Sequence, residues 1–217
     1  MALSSSVAHV SAADATRARP REEERAPRRA RIVAVGCAMS LGIAADAAAF
    51  ELQRADPQFV DKEYRFEMTA LLAAPVDDVE RILRDYENYP TLDGRILQAK
   101  VLERPAAGVA ILETMLRACF GPVCRNVRRV ERVEESPHAL LATTDPARSD
   151  MKLGETQMSL TPLDDGTTRV TYRTRLRPDF WIPALVARGM MLNTLEDATI
   201  ELFRSVERQA QGHDDSP

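Results

Sequence analysis

Pro178-Asp179-Phe180-Trp181-Ile182-Pro183 opens the stretch to Arg208 that decides the fold. After Pro183 the chain reads as one long helix. Leu185, Leu192, Leu195, Thr199, Leu202 and Val206 form an apolar seam, and from Leu192 onward the steps are 3, 4, 3, 4. That spacing keeps side chains on one helical face. Met191, Ala198 and Phe203 widen the seam to a core-facing stripe. Glu196, Asp197, Glu201, Arg204 and Glu207 read as the polar positions around it. One helix cannot bury such a stripe alone, so the rest of the chain must supply a surface for it.

That surface is a sheet. Tyr64, Phe66, Met68, Ala70 and Leu72 alternate with Arg65, Glu67 and Thr69, the period of a half-buried strand. Phe50 to Pro57 reads as a lead-in to it. Pro75 opens a short helix, a position that suits proline. Val76, Val79, Ile82 and Leu83 give this helix its apolar face, and Tyr86-Glu87-Asn88-Tyr89-Pro90 breaks it. Six further strands follow over residues 96–103, 109–120, 123–134, 138–144, 152–163 and 167–176. Asp164-Asp165-Gly166 carries the Asp-Gly hairpin signal. Strands joined by short turns imply an antiparallel sheet. A strongly twisted sheet of about seven strands curls. The expectation is an α+β helix-grip fold: a curved antiparallel sheet wrapped around a long C-terminal helix, with a short helical pair after the first strand. Residues 209–217 read as a frayed polar tail.

The first 49 residues differ from the remainder. No aromatic residue precedes Phe50. A basic lead-in is followed by Ile32 to Ala45, 14 residues without a charge. Behind that run stand Ala45-Asp46-Ala47 and Ala47-Ala48-Ala49, both of small-x-small form. A basic flank, a short apolar run and such a site describe a secretory signal peptide. Residues 1–49 are therefore expected to direct export to the periplasm, leaving a ligand-binding domain over residues 50–208. The competing reading is a buried apolar segment of a cytosolic protein. The net charge of −4 over 217 residues argues against a general nucleic-acid binder.

Past the leader the chain has two cysteines, Cys119 and Cys124, flanking Phe120-Gly121-Pro122-Val123. If Gly121-Pro122 is a two-residue turn, Phe120 pairs with Val123 and Cys119 faces Cys124 across the hairpin. The Cα atoms of such a pair lie about 4.5 Å apart, near the lower end of disulfide geometry. An exported compartment permits the bond.

Three stretches carry a family likeness: Ala73-Ala74-Pro75-Val76-Asp77-Asp78-Val79, Asp85-Tyr86-Glu87-Asn88-Tyr89-Pro90 and Asp179-Phe180-Trp181-Ile182-Pro183. On these the sequence resembles the START-like superfamily of helix-grip proteins, the polyketide cyclase/dehydrase and lipid-transport group that includes coenzyme Q-binding proteins. The resemblance covers roughly residues 60 to 208. It implies a hydrophobic cleft between helix and sheet. No cofactor is expected. It does not imply one activity, because carriers and enzymes share the fold.

The expected lining of that cleft is Phe66 and Met68 on the first strand, Leu112, Thr114 and Leu116 on the hairpin, Tyr172 on the last strand, and Met190, Met191 and Leu195 on the helix. Thr174 joins Tyr172 on the last strand, and Tyr86, Tyr89, Phe180 and Trp181 are expected at the rim. Arg129 falls on the inward side of the hairpin with Arg125, where it would meet an anionic or carbonyl group of a ligand or else snorkel to water. The domain has one histidine, His138, and neither H-E-x-x-H nor C-x-x-C, so a histidine-rich metal site is not expected. Three functions remain open. The first is an exported carrier of a lipid-like, polyketide-like or quinone-like molecule, with transient membrane contact compatible with it. The second is a cyclase or dehydratase using Glu113, Glu155 or Tyr172 as acid or base. The third is a protein-binding domain with a closed cleft and Phe180 and Trp181 as anchors.

Overall fold

The computed structural model describes residues 49–120, 123–182 and 184–212. The expected leader lies outside the described residues except for Ala49, as does the end of the tail from residue 213. In chain order the elements are β1 (Glu51–Val60), β2 (Glu63–Leu72), α1 (Val76–Arg84), a 3-10 turn (Tyr86–Asn88), α2 (Tyr89–Leu92), β3 (Ile96–Ala106), β4 (Val109–Phe120) and β5 (Val123–Ser136). Then follow β6 (Ala139–Thr144), a second 3-10 turn (Pro146–Arg148), β7 (Met151–Pro162), β8 (Thr168–Pro178) and α3 (Ala184–Ala210).

The sheet has eight strands in the order β1-β2-β8-β7-β6-β5-β4-β3. All neighbours are antiparallel. The α1–α2 connection carries the chain from β2 to the far edge at β3, and the strands then return one by one until β8 closes on β2. The helix-grip architecture is the one expected, with one strand more.

The extra strand is β1, read from sequence as a lead-in. As an edge strand it is mostly exposed, so no buried face imposes an apolar alternation on it. Pro57 sits within it, opposite Phe66, a residue type that sheets accept at an edge. Its hairpin with β2 turns through Asp61 and Lys62, both at positive φ (55° and 63°), the geometry of a two-residue primed turn without the usual glycine. A second correction concerns α3, which runs to Ala210 instead of fraying from residue 209. Glu207, read as a polar surface position, is buried against the start of β1 and the end of β2.

α3 packs chiefly on β1, β2 and α1, approaches β4 more lightly, and has no comparable contact with β5, β6 or β7. Phe203 and Val206 are fully buried with Phe66, Met68, Ala70 and Leu72 in the main core. A second cluster joins Tyr86, Ile96, Ala110, Leu112 and Val133 under α2. A third joins Tyr64, Val127, Met151 and Leu176 near Met191 and Leu195. The three clusters leave room between them.

The β4–β5 register is unbroken and places Phe120 opposite Val123 and Cys119 opposite Cys124. The two cysteines form a disulfide with Cα atoms 4.0 Å apart. The loop it closes is short, so in the chain-entropy model it stabilises by only about 2 kcal/mol. Replacing both cysteines by alanine should lower unfolding free energy by no more than about that amount, measured by urea denaturation of the oxidised parent and the variant.

Candidate functional site

Where α3 stands away from β5–β7, a cavity of about 280 Å³ lies between helix and sheet. Leu112, Val133, Leu140, Ala142, Met158 and Leu176 form its apolar floor, and Met191, Leu195, Ala198 and Leu202 of α3 form its roof. Leu83, Tyr86 and Tyr89 close the α1–α2 side. Asp93, Arg95 and the exposed Arg117 line one end, where Arg95 Nε donates to Asp93 Oδ1 at 2.8 Å. The volume lies just below the usual ligand range of about 300–1,000 Å³. A roomier depression of about 450 Å³ lies on the outer face of the sheet around Glu134, Gln157 and Arg173. It is a surface hollow among polar strand residues, not an enclosure between helix and sheet.

One corner of the cavity is charged. Arg129 and Glu131 sit two residues apart on β5, so both point to the same inward face, and Arg129 Nη2 lies 2.7 Å from Glu131 Oε2. The Glu131 side chain is 3% exposed, whereas Arg129 keeps 25% of its surface. That remainder borders the cavity. Burial alone would push the Arg129 pKa down, but the Glu131 carboxylate, helped by Tyr172 and Tyr89, holds it above its ordinary value. Thr144 Oγ1 donates to the other Glu131 oxygen at 3.3 Å. A Cβ at Gly154 would stand 2.1 Å from that hydroxyl, so glycine at this β7 position is what lets Thr144 reach the carboxylate.

Two polar atoms in this corner have no protein partner among the described residues: Thr114 Oγ1 and Arg129 Nε. Thr114 is 2% exposed and directly opposite Arg129 in the β4–β5 register. A buried hydroxyl and an N–H left unpaired cost free energy. An oxygen atom of a bound molecule between them would recover it.

Three tyrosines frame the same space. Tyr89 donates its hydroxyl to the Leu83 carbonyl at 2.6 Å, and Tyr86 donates to Glu135 Oε1 at 2.7 Å. Tyr172 stacks edge-on against Phe203, ring centres 5.8 Å apart. All three hydroxyls are held above the ordinary tyrosine range. Burial is the main cause in each; the Glu135 carboxylate adds to it at Tyr86, the Glu131 charge adds to it at Tyr89, and the Arg129 charge opposes it at Tyr172. Near neutral pH they keep their protons and serve as hydrogen-bond donors, not as bases.

Of the residues expected to line a cleft, the structure brings together Tyr86, Tyr89, Leu112, Thr114, Leu116, Arg129, Tyr172, Met191 and Leu195. Phe66 and Met68 do not belong with them; both are fully buried in the main core beneath α3, because β2 is one of the strands that α3 covers closely. Met190 is off the wall, one residue and about 100° of helix rotation from Met191. Trp181 is 82% exposed in the segment before α3 and does not line the cavity. Arg125 stays outside and lies over the Phe180 ring at 4.0 Å.

Among the acids proposed for catalysis, Glu113 is on the outer face and pairs with Arg128. Glu155 accepts from Gln157 at the surface. Two acids do reach the cavity, Asp93 at its end and Glu131 in the charged corner, and the sequence pattern singles out neither; for Glu131 a trace can be found. It lies two residues from Arg129 and opposite Leu112, an expected inward residue. His138 bonds Glu80 through Nδ1 at 3.1 Å, off the cavity wall. Among the described residues no cluster of side chains could hold a metal ion, and no helix is long and apolar enough to cross a membrane.

Removing one member of the charged pair should be worse than removing both. Glu131→Leu leaves the Arg129 charge uncompensated and should cost up to about 3 kcal/mol. Arg129→Met combined with Glu131→Leu should cost less than Glu131→Leu alone. Urea denaturation of the three proteins measures the difference.

Comparison with curated proteins finds no match. Solved structures share the fold at low identity. The Zhui aromatase/cyclase from Streptomyces sp. R1128 aligns with TM-score 0.59 and 15% identity over 69% of this chain and 94% of its own. A START superfamily protein from Mycobacterium smegmatis gives 0.54 and 17% over 68% and 97%. A STAR-related lipid transfer protein from Xanthomonas axonopodis gives 0.53 and 15% over 76% and 99%. A family model for polyketide cyclase / dehydrase and lipid transport matches residues 63–207, from the start of β2 to the last turn of α3. The chain belongs to that polyketide cyclase/dehydrase and lipid-transport family.

Proposed function

We propose that the protein is an exported carrier that holds one small amphipathic molecule, lipid-like, polyketide-like or quinone-like, between α3 and the sheet. The observation that carries the reading is a mainly apolar cavity with a polar corner, where the Thr114 hydroxyl and Arg129 Nε have no partner among the described residues. The apolar body of the ligand displaces no charge. An eight-carbon stretch contributes roughly 6 kcal/mol gross at about 0.8 kcal/mol per CH₂, before ordering costs. A carbonyl, hydroxyl or carboxylate oxygen completes the polar corner. Export rests on the basic flank, apolar run and small-x-small sites of the leader.

The second reading, a cyclase or dehydratase, draws on Glu131 and Tyr172 facing one space and on the aromatase/cyclase among the relatives of the fold. It is weaker here. Glu131 is tied to Arg129 and Thr144, and burial holds the Tyr89 and Tyr172 hydroxyls above their ordinary range. A closed, protein-binding domain fits less well, because a space remains between helix and sheet and two polar atoms in it lack partners among the described residues.

Native mass spectrometry of protein taken from its own cell envelope should reveal a co-purified organic molecule. Ala198→Phe, which places a ring in the roof, should abolish that adduct while leaving the melting temperature near the parent's. Repeated absence of any adduct in the parent would end the carrier reading. The exposed Trp181 ring suits shallow insertion at a membrane–water interface. Trp181→Ala should slow ligand transfer to anionic vesicles several-fold without changing ligand affinity, read by a fluorescent fatty acid in a stopped-flow transfer assay.

A further inference from the structure

Glu207 lies in the last turn of α3 and is 6% exposed. Its two carboxylate oxygens are taken by backbone groups: Phe50 N donates to Oε2 at 2.9 Å and Ala73 N to Oε1 at 2.7 Å. Among the described residues no cation forms an ion pair with it. Arg204, one turn away, pairs with Glu201 at 2.7 Å and lies over the Phe50 ring at 5.3 Å. Arg208 donates to Ser205 Oγ. Two neutral N–H donors compensate a buried carboxylate only in part; a full positive charge would do so better. The end of a helix also favours a cation.

The sequence offers two cleavage frames, after Ala47 and after Ala49. The structure separates them. Cleavage after Ala49 turns the Phe50 nitrogen, the very atom 2.9 Å from Glu207, into an α-ammonium. Cleavage after Ala47 puts the ammonium on Ala48, up to about 7 Å of chain away, and leaves Phe50 a neutral amide. Ala49 is exposed, and β1 begins only at Glu51, so a cut before Phe50 removes nothing from the sheet.

We propose that the chain is processed between Ala49 and Phe50 and that the new α-ammonium docks on Glu207, fastening β1 to the end of α3. This rests on the export reading. Water adds across the Ala49–Phe50 peptide bond: the C–N bond breaks, Ala49 departs as a carboxylate, and the Phe50 nitrogen takes up protons to become an ammonium, whose ordinary pKa is about 7.7–8.0. The catalyst is an envelope peptidase that reads small residues at positions −3 and −1. The latch holds the side of the helix that packs on β1 and β2, so the processed chain is more stable than its precursor.

The first test is N-terminal sequencing and intact mass of the full chain expressed with its leader and recovered from the periplasm. Phe50 as first residue is expected. A start at Ala48 or elsewhere overturns the inference and spares export; an uncut chain overturns both. The second test compares chains beginning at Phe50 and at Ala48, each with Glu207 and with Glu207→Gln. The two extra residues should lower the melting temperature by several degrees with Glu207 and by much less with glutamine. An equal drop in both backgrounds overturns the latch. A third readout stands even if Glu207→Gln does not fold: acylation of the α-amine near neutral pH should be at least tenfold slower in the native Phe50 chain than in the same chain unfolded. Equal rates overturn the proposal.

Discussion

The structure depends on how one long helix meets a sheet wider than itself. α3 presents a single apolar stripe, and β1, β2 and α1 absorb its C-terminal half, where Phe203 and Val206 are fully buried. The middle strands stand away beneath its central stretch, from Met191 to Leu202. A rod can follow only part of a twisted, curling surface. The gap that results is the cavity, bounded by three separate core clusters in place of one continuous core.

Large side chains hold that gap open. Tyr172 is wedged between Phe66 and Phe203. Tyr86 and Tyr89 brace each other edge-on, ring centres 5.7 Å apart, and their hydroxyls are anchored on Glu135 and on the Leu83 carbonyl. Such props cannot fold into the space, because their polar ends are already committed elsewhere. The Arg129–Glu131 pair then gives a mainly apolar chamber a buried charged corner. A pair of this kind adds little to stability over an apolar replacement.

Much of this was legible in the chain. The 3-4 spacing from Leu192 marks the helix, and the alternation from Tyr64 marks β2, because burial on one face imposes a period. The β4–β5 hairpin and its disulfide followed from counting outward from Gly121-Pro122. The same counting put Thr114, Leu112 and Arg129 on one inward face. Where no face is buried the method has nothing to read, and β1 was missed for that reason. Phe66 and Met68 were misplaced for another: strand alternation tells inside from outside, but not whether the inside position meets a helix or a void.

The sequence by itself determined the classes of element, their order, the curved antiparallel sheet and the side of each strand that faces inward. These follow from local periodicity, turn chemistry and the need to bury an apolar stripe. Only the tertiary structure decided where helix and sheet part, that Glu131 rather than Glu113 enters the chamber, that Trp181 faces water, and that Glu207 closes on the start of β1. Each of these depends on the distance between surfaces brought together from far along the chain. A linear pattern fixes which way a side chain points, not what it finds there.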